Sequence, residues 1–193
     1  MNNRLLFLIA LVLLGCSSFT VAQSKPTKAK KQNIAAVMDD QLKGVEKEFV
    51  GAADAMPEDK YDFAPTNGEF KGVRTFAQQV RHVAAVNYMV FASILGEKVP
   101  VDIGSENGPE AMKSKTDIMK SLRDSFTYGH KATAAINEKN ATASIKSPFG
   151  DETETRLGLA TLIDYHCFDH YGQMVEYLRM NGIIPPASRP QQK

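Results

Sequence analysis

The stretch IDYHCFDHYGQMVEYLRMNGIIPP, residues 163–186, carries the clearest fold signal in the chain. Its apolar side chains recur at spacings of three and four, which is the period of an α-helix that buries one face. Gly182 and the pair Pro185-Pro186 then end the helix, because glycine suits a left-handed C-cap and proline cannot continue a helix. The inward positions are Leu159, Ile163, Met174, Tyr177 and Leu178. This stretch therefore predicts a long amphipathic helix near the end of the chain.

Two more amphipathic helices are predicted in the first half of the chain. The first starts at residue 33 and stops at Pro57. The second opens at Thr75, where Gln78 three residues later completes a capping box, and it ends near Gly96. Their apolar positions are Ile34, Val37, Met38, Leu42, Val45, Phe49 and Met56 in the first, and Phe76, Val80, Val83, Val90 and Ile94 in the second.

A third helix is predicted with Pro109 in its first turn, and the last helix follows the acidic stretch 151–154, whose end residues can form a capping box. The apolar face of the third helix runs through Met112, Met119, Leu122, Phe126, Thr133 and Ile136. Residues 143–145 can be extended but have no obvious strand partner. The predicted fold is an all-α four-helix bundle. The connections 57–74 and 96–108 are long, so at least one of them is expected to be a crossover.

Length and composition are those of an ordinary globular domain, which we place at residues 33–186. The 193 residues are 43% apolar, and 23 basic residues nearly balance 22 acidic residues. Such values argue against wholesale disorder, and near-neutrality gives no electrostatic reason to expect a nucleic-acid partner. Residues 23–32 are predicted to be a basic, solvated tether and residues 187–193 a C-terminal tail.

Residues 1–22 are predicted to be a signal peptide, with cleavage after Ala22. A positive charge, an apolar run and then small residues follow one another in the order typical of secretion signals. The apolar run is short for a membrane span, which takes about 20 residues, so a retained anchor is the weaker interpretation. Cys16 lies in a stretch that resembles a bacterial lipoprotein box. The protein is therefore expected to be exported, periplasmic or extracellular, with a lipid anchor through Cys16 as the alternative.

His166 and His170 are the first candidates for chemistry. Residues four apart lie on one side of a helix, about one turn from each other, and this side also carries the inward apolar residues. Two imidazoles at that spacing can chelate a divalent transition metal. Two hydrogen-bonded structural histidines are the alternative.

A third ligand would make the metal site credible, and His82 is the better of the two remaining histidines. It lies in the middle of the second helix at the edge of the apolar stripe, whereas His130 lies near the end of the third helix. We expect His130 to be exposed and to interact with the helix dipole. Asp164 and Asp169 lie about 100° or more around the helix from the face that carries His166 and His170, so they are poorer ligand candidates than His82. Cys167 is interpreted as a core thiol, neither ligand nor nucleophile.

Three stretches of the chain carry motifs of one known family. Residues 56–65 fit the pattern MP-x3-Y-x-F-x-P, and residues 74–82 fit R-[ST]-F-x5-H. Residues 166–186 fit H-x3-H-x-GQ-x3-YLR-x2-G-[IV]-x-P. With these motifs, residues 33–186 resemble the DinB-like domain, a widespread bacterial family. The last of these motifs is the most specific.

The resemblance implies a four-helix bundle with a crossover, a metal held by His82, His166 and His170, and a homodimer. The implied cofactor is a divalent transition metal, with zinc or nickel ahead of iron or manganese. Some relatives use their metal to activate a low-molecular-weight thiol for transfer to an electrophile or for isomerisation.

The sequence therefore favours an exported, divalent-metal-binding hydrolase or thiol transferase that acts on a small molecule of unknown identity. Hydrolysis is preferred because reduced thiols are abundant in the cytoplasm and scarcer outside it. Gln173 and Tyr177 are candidate polar groups at the pocket, with packing and hydrogen bonding inside the bundle as the alternative. No general base is predicted. A non-catalytic, metal-stabilised binding or stress-response module is the alternative, so the assignment as an enzyme stays open.

Overall fold

The computed structural model describes residues 32–190, and four helices form the body of this part of the protein. They are α1 (Ile34–Ala55), α2 (Phe76–Leu95), α3 (Lys115–Ala134) and α4 (Arg156–Met180). Short 3-10 turns follow α1 at Glu58–Lys60 and α4 at Pro186–Ser188. The predicted all-α bundle is confirmed. The signal peptide, Cys16 and nearly all of the tether lie outside the described residues.

The ends of α1 and α2 follow from their capping residues. The side chain of Asn33 accepts a hydrogen bond from the Ala36 amide at 2.8 Å, and α1 ends just before Met56 and Pro57. In α2 the Thr75–Gln78 capping box is present, with both reciprocal bonds made. Gly96 closes α2 at φ +70°, a conformation that favours glycine because it has no Cβ.

The predicted start of the third helix at Pro109 is wrong, because α3 begins at Lys115. Its N-cap is Ser114, whose hydroxyl accepts a hydrogen bond from the Asp117 amide at 3.1 Å. Pro109 lies instead in a turn, where its carbonyl accepts from the Met112 amide at 3.1 Å. Proline suits a helix start and also a turn, and here a better N-cap five residues later decides between them.

A small hairpin corrects the expectation that residues 143–145 have no partner. Strand β1 (Ser144–Lys146) pairs antiparallel with β2 (Thr153–Thr155). The acidic stretch 151–154 therefore does not cap α4, as the sequence had suggested. Thr155 is the N-cap, and its hydroxyl accepts from the Gly158 amide at 3.0 Å.

The order of packing explains how distant parts of the chain meet. α1 and α2 each pack mainly against α3 and α4, so α1 and α2 lie diagonally in the bundle. α3 and α4 are likewise diagonal, so the connection between α1 and α2, residues 56–75, and the connection between α3 and α4, residues 135–155, both cross the bundle. The connection between α2 and α3 joins two neighbours. Because α2 and α4 are neighbours, residues more than 80 positions apart come into contact. The core includes Phe49, Phe76, Phe91, Phe126, Ile118, Leu122, Leu159 and Ile163, all less than 2% exposed.

Between residues 32 and 190, no helix is both long enough and apolar enough to cross a membrane.

Candidate metal centre

Three histidines converge at the contact between α2 and α4. His82 projects from α2, and His166 and His170 project from successive turns of α4. The Nε2 atoms of His82 and His166 are 3.1 Å apart, and one nitrogen from each ring lies within 4.8 Å of the other two. The three ring centroids are 4.7 to 5.1 Å apart. The structure therefore brings together the histidines that helix geometry had singled out.

Two of the rings are oriented by acceptors at their outer nitrogens. The Nδ1 of His82 lies 2.6 Å from the backbone carbonyl oxygen of Glu106, and the Nδ1 of His170 lies 2.5 Å from Oε1 of Gln79. A carbonyl oxygen can only accept, so each Nδ1 carries the proton. The Nε2 lone pairs of these two histidines are then free to bind a cation, an arrangement common among metal-ligating histidines.

The hydrogen bond to His170 continues through a chain of side chains towards solvent. Gln79 donates from Nε2 to Oε1 of Gln173 at 2.7 Å, and Gln173 donates from Nε2 to Oδ2 of Asp169 at 3.1 Å. Gln79 is 1% exposed, so its amide orientation is fixed by these partners. The chain fixes the tautomer of His170 and links its ring to an exposed carboxylate.

The sequence prediction missed Gln79, although a signal was present. Gln79 lies three residues before His82 on the buried side of α2, where an apolar residue would be the ordinary choice. Gln173 was identified as a polar group at the site, and it binds Gln79. The hydroxyl of Tyr177 instead donates to the backbone carbonyl of Arg74 at 3.1 Å.

All three imidazoles are neutral at pH 7. Burial, followed by the positive charge of Arg74, lowers the pKa of His82. Burial and the neighbouring histidines lower the pKa of His166 to about 4 and that of His170 to about 3, with Arg74 contributing to both. A neutral imidazole is the form that binds a metal, so these shifts favour ligation at neutral pH.

His166 supplies the test of whether these residues fit a metal ion. Its Nδ1 is buried and has no hydrogen-bond partner among the described residues. If Nδ1 carries the proton, that proton is unpaired and the Nε2 lone pair faces the Nε2 lone pair of His82. If Nε2 carries it, the buried Nδ1 lone pair is unpaired. A cation that accepts all three Nε2 lone pairs removes the repulsion between them, so the donor set fits a divalent transition metal.

Two other candidates on α4 lie outside this group. Cys167 is fully buried, its sulfur lies 3.8 Å from the side-chain oxygen of Asn87, and burial raises the pKa of its thiol. It is a core thiol, as its position on the helix predicted. Burial also raises the pKa of Asp164 to about 6, but its carboxylate does not join the three histidines.

The fourth histidine, His130, corrects a prediction. It is not an exposed residue held by the helix dipole, because it is partly buried between two acidic side chains of α1. Its Nδ1 lies 2.6 Å from Oδ1 of Asp39, and its Nε2 lies 3.0 Å from Oε2 of Glu46. Burial opposes protonation, but the two carboxylates outweigh it and raise the pKa of His130. His130 is therefore part of an ion-pair cluster away from the candidate metal centre.

Comparison with known proteins assigns the family. A family model described as the DinB superfamily matches residues 41–174, well over half of the chain. The chain belongs to the DinB superfamily. The resemblance found in the sequence motifs is therefore confirmed, and the matched range contains all three converging histidines.

A solved structure shares the DinB fold. It is the crystal structure of a DinB-like protein from Bacillus cereus ATCC 10987, which is 17% identical to this chain. The match covers 81% of this chain and 98% of the other, with a TM-score of 0.63. At that identity the likeness concerns the fold alone. No curated protein matches the chain.

Proposed function

We propose that this DinB-superfamily protein binds a divalent transition metal through His82, His166 and His170 and uses it to act on a small molecule. The observation that carries the proposal is the convergence of three neutral imidazoles, with one nitrogen of each ring within 4.8 Å of the other two. The outer nitrogens of His82 and His170 are hydrogen-bonded to acceptors, which leaves their Nε2 lone pairs for a cation. These residues fit zinc or nickel best, with iron and manganese as further candidates.

A site with three neutral ligands is better suited to catalysis than to a closed structural role. They leave the positive charge of a divalent ion uncompensated and at least one coordination position open. Once bound, such an ion supplies a Lewis acid that lowers the pKa of a water molecule or a thiol towards neutrality. The protein's own part is to keep the imidazoles neutral and oriented, through Gln79 on one side and the carbonyl of Glu106 on the other.

The proposed reaction is hydrolysis or group transfer, and hydrolysis is preferred. This preference rests on export, because a low-molecular-weight thiol is a poorer co-substrate in an oxidising compartment. Mass spectrometry of the mature N-terminus tests export: cleavage after residue 22 supports it, and a lipid on Cys16 would indicate a membrane-anchored form. Light scattering of the purified protein tests the proposed homodimer.

Elemental analysis of the purified protein, combined with an activity screen, tests the main proposal. We expect about one zinc or nickel per chain, and turnover of an ester, amide or phosphoester or of a thiol–electrophile pair. The control is H130Q, which alters a histidine outside the site and is expected to keep both metal and activity. A wild-type protein that takes up none of zinc, nickel, iron or manganese would contradict the proposal.

A non-catalytic role is the second candidate, and the burial of the ligands favours it. His82 and His170 are each only 6% exposed, which restricts the approach of a substrate to their side of the site. In that case the metal should raise the melting temperature, because a ligand that binds only the folded state stabilises it. The same screen would then show no turnover.

A further inference from the structure

A polar pocket of about 460 Å³ lies beside the candidate metal centre. It lies between the first turns of α2, the loop after residue 106 and α4. Two arginines and four side-chain amides belong to its lining: Arg74, Arg81, Gln78, Gln79, Asn107 and Gln173. This set is rich in hydrogen-bond donors, as expected of a pocket that binds a negatively charged group.

Arg81 is a buried cation without a counter-ion. Its side chain is 7% exposed, and its Nη1 donates to the backbone carbonyls of Pro109 and Met112 at 2.9 and 3.2 Å. Its Nε is buried without a partner, and no carboxylate between residues 32 and 190 lies within ion-pair distance of it. A charge placed so deep is costly unless an opposite charge compensates it.

The loop that covers Arg81 is held close to it. Gly108 adopts φ +74°, and a Cβ at this position would lie 2.9 Å from both the Cβ and the carbonyl oxygen of Arg81. Only glycine fits there. The loop therefore packs tightly against the main chain and Cβ of Arg81. The two hydrogen bonds from Nη1 orient the guanidinium itself.

Arg74 places a second guanidinium in the same wall. Its Nε and Nη2 both donate to Oδ1 of Asn107, at 3.2 and 2.8 Å. The nearest acidic group is the carboxylate of Glu106, 3.7 Å from Nη2 and largely exposed, where water screens its charge. Glu110 also lines the pocket, but it is exposed and lies beyond ion-pair distance of both arginines.

The pocket and the histidines share supporting residues. Gln79 lines the pocket and accepts the hydrogen bond from His170, while the carbonyl of Glu106, which accepts from His82, directly precedes Asn107. Arg74 is close enough to all three histidines for its charge to lower the pKa of each. A group held in the pocket would thus lie next to the candidate metal centre.

We propose that Arg74 and Arg81 bind a carboxylate or phosphate group of the small molecule on which the metal centre acts. This inference rests on the proposed function and narrows its substrate to anionic molecules. Carboxylate and phosphate groups both offer oxygens that match the two N–H donors on one side of a guanidinium. The lining of the pocket therefore indicates a negatively charged group, and the experiment distinguishes phosphate from carboxylate.

Calorimetric titration of the metal-loaded protein with inorganic phosphate, and separately with acetate, tests the inference. We expect saturable binding of one anion per chain, weakened at least tenfold in R74Q and unchanged in R123Q, which removes an exposed arginine of α3. Binding of phosphate alone supports phosphoester substrates, and binding of acetate alone supports carboxylates. No saturable binding of either anion, or equal binding by R74Q and wild type, would overturn the inference.

Two more variants keep the test decisive. R81K retains the charge and the buried stem, so it should fold and bind the anion more weakly than wild type; an unchanged affinity would argue against a role for Arg81. H170A should lose metal but keep anion binding. If the wild type binds phosphate through Arg74 yet takes up no metal, the pocket stands and the proposed function fails. If it takes up metal but binds neither anion, only this inference fails.

Discussion

The two histidine sites of this protein shift the pKa of the same residue type in opposite directions. His130 lies between the carboxylates of Asp39 and Glu46, and their charge raises its pKa. In the cluster of three, the neighbours of each imidazole are other imidazoles and neutral acceptors, with Arg74 adding positive charge. Burial lowers the histidine pKa at both sites, so it is the neighbouring charges that make one site a salt bridge and the other a set of metal donors.

Removal of one converging histidine should separate the two sites most clearly. In H166A or H170A we expect metal content to fall from about one ion per chain to near zero. The loss of affinity should exceed the ~10–100-fold typical when only an outer partner of a ligand is lost. Inductively coupled plasma mass spectrometry of dialysed protein measures it. H130A is the matched control, and a similar loss of metal in that variant would mean that the ligand set is misassigned.

The next largest effect is expected from the residue that orients His170. In Q79L the outer nitrogen of His170 loses its acceptor, and we predict a ~10–100-fold decrease in metal affinity. Competition with a chromophoric chelator gives the affinity. Q173A removes only the following link of the hydrogen-bond chain, so its decrease should be smaller. An affinity in Q79L equal to that of wild type would show that Gln79 has no part in orienting the ligand.

The smallest effect is expected from His130, and it should appear in the pH dependence of folding stability, where the two sites act in opposite directions. In the metal-free protein the pKa values of His166 and His170 are lowered by folding. As the pH falls, these histidines are therefore protonated in the unfolded chain at a higher pH than in the folded protein. Stability from this site is therefore lost as the pH falls below about 6.5. The raised pKa of His130 has the opposite consequence, because its contribution is present below about pH 6.5 and is lost as the pH rises through the folded pKa.

Urea unfolding of the metal-free protein between pH 4 and pH 8 measures both trends. H130Q should remove about 0.2–1 kcal/mol of stability near pH 6, the range for solvent-screened ion pairs, and less at pH 8. A loss that is larger at pH 8 than at pH 6 would mean that His130 is neutral in the folded protein.

The parts of this structure that were predictable from sequence are those set by neighbouring residues. The Thr75–Gln78 capping box and the end of α2 near Gly96 depend on residues close together in the sequence, so both were predicted. Convergence of His82 with His166 needed only the periodicity of two helices and the assumption that they pack together. Metal binding itself stays a prediction from the geometry.

The mispredicted parts depend on contacts or choices that a local pattern does not contain. His130 was misjudged because Asp39 and Glu46 lie 91 and 84 residues away in the sequence. The hairpin was missed because its strands have three residues each and show no clear alternation. Pro109 was assigned to a helix because the competing N-cap at Ser114 carries a similar local signal.

The position of the histidines also gives a bound ion a mechanical role. His82 and His166 are separated by 84 residues, so an ion held by both closes a loop that spans α3 and the hairpin. Closing a long loop restricts the unfolded chain, much as a disulfide does, yet it requires no oxidation. A chelator would then act on this bundle as a reductant acts on a protein with a disulfide bond. It would remove the cross-link between α2 and α4 while leaving every covalent bond intact.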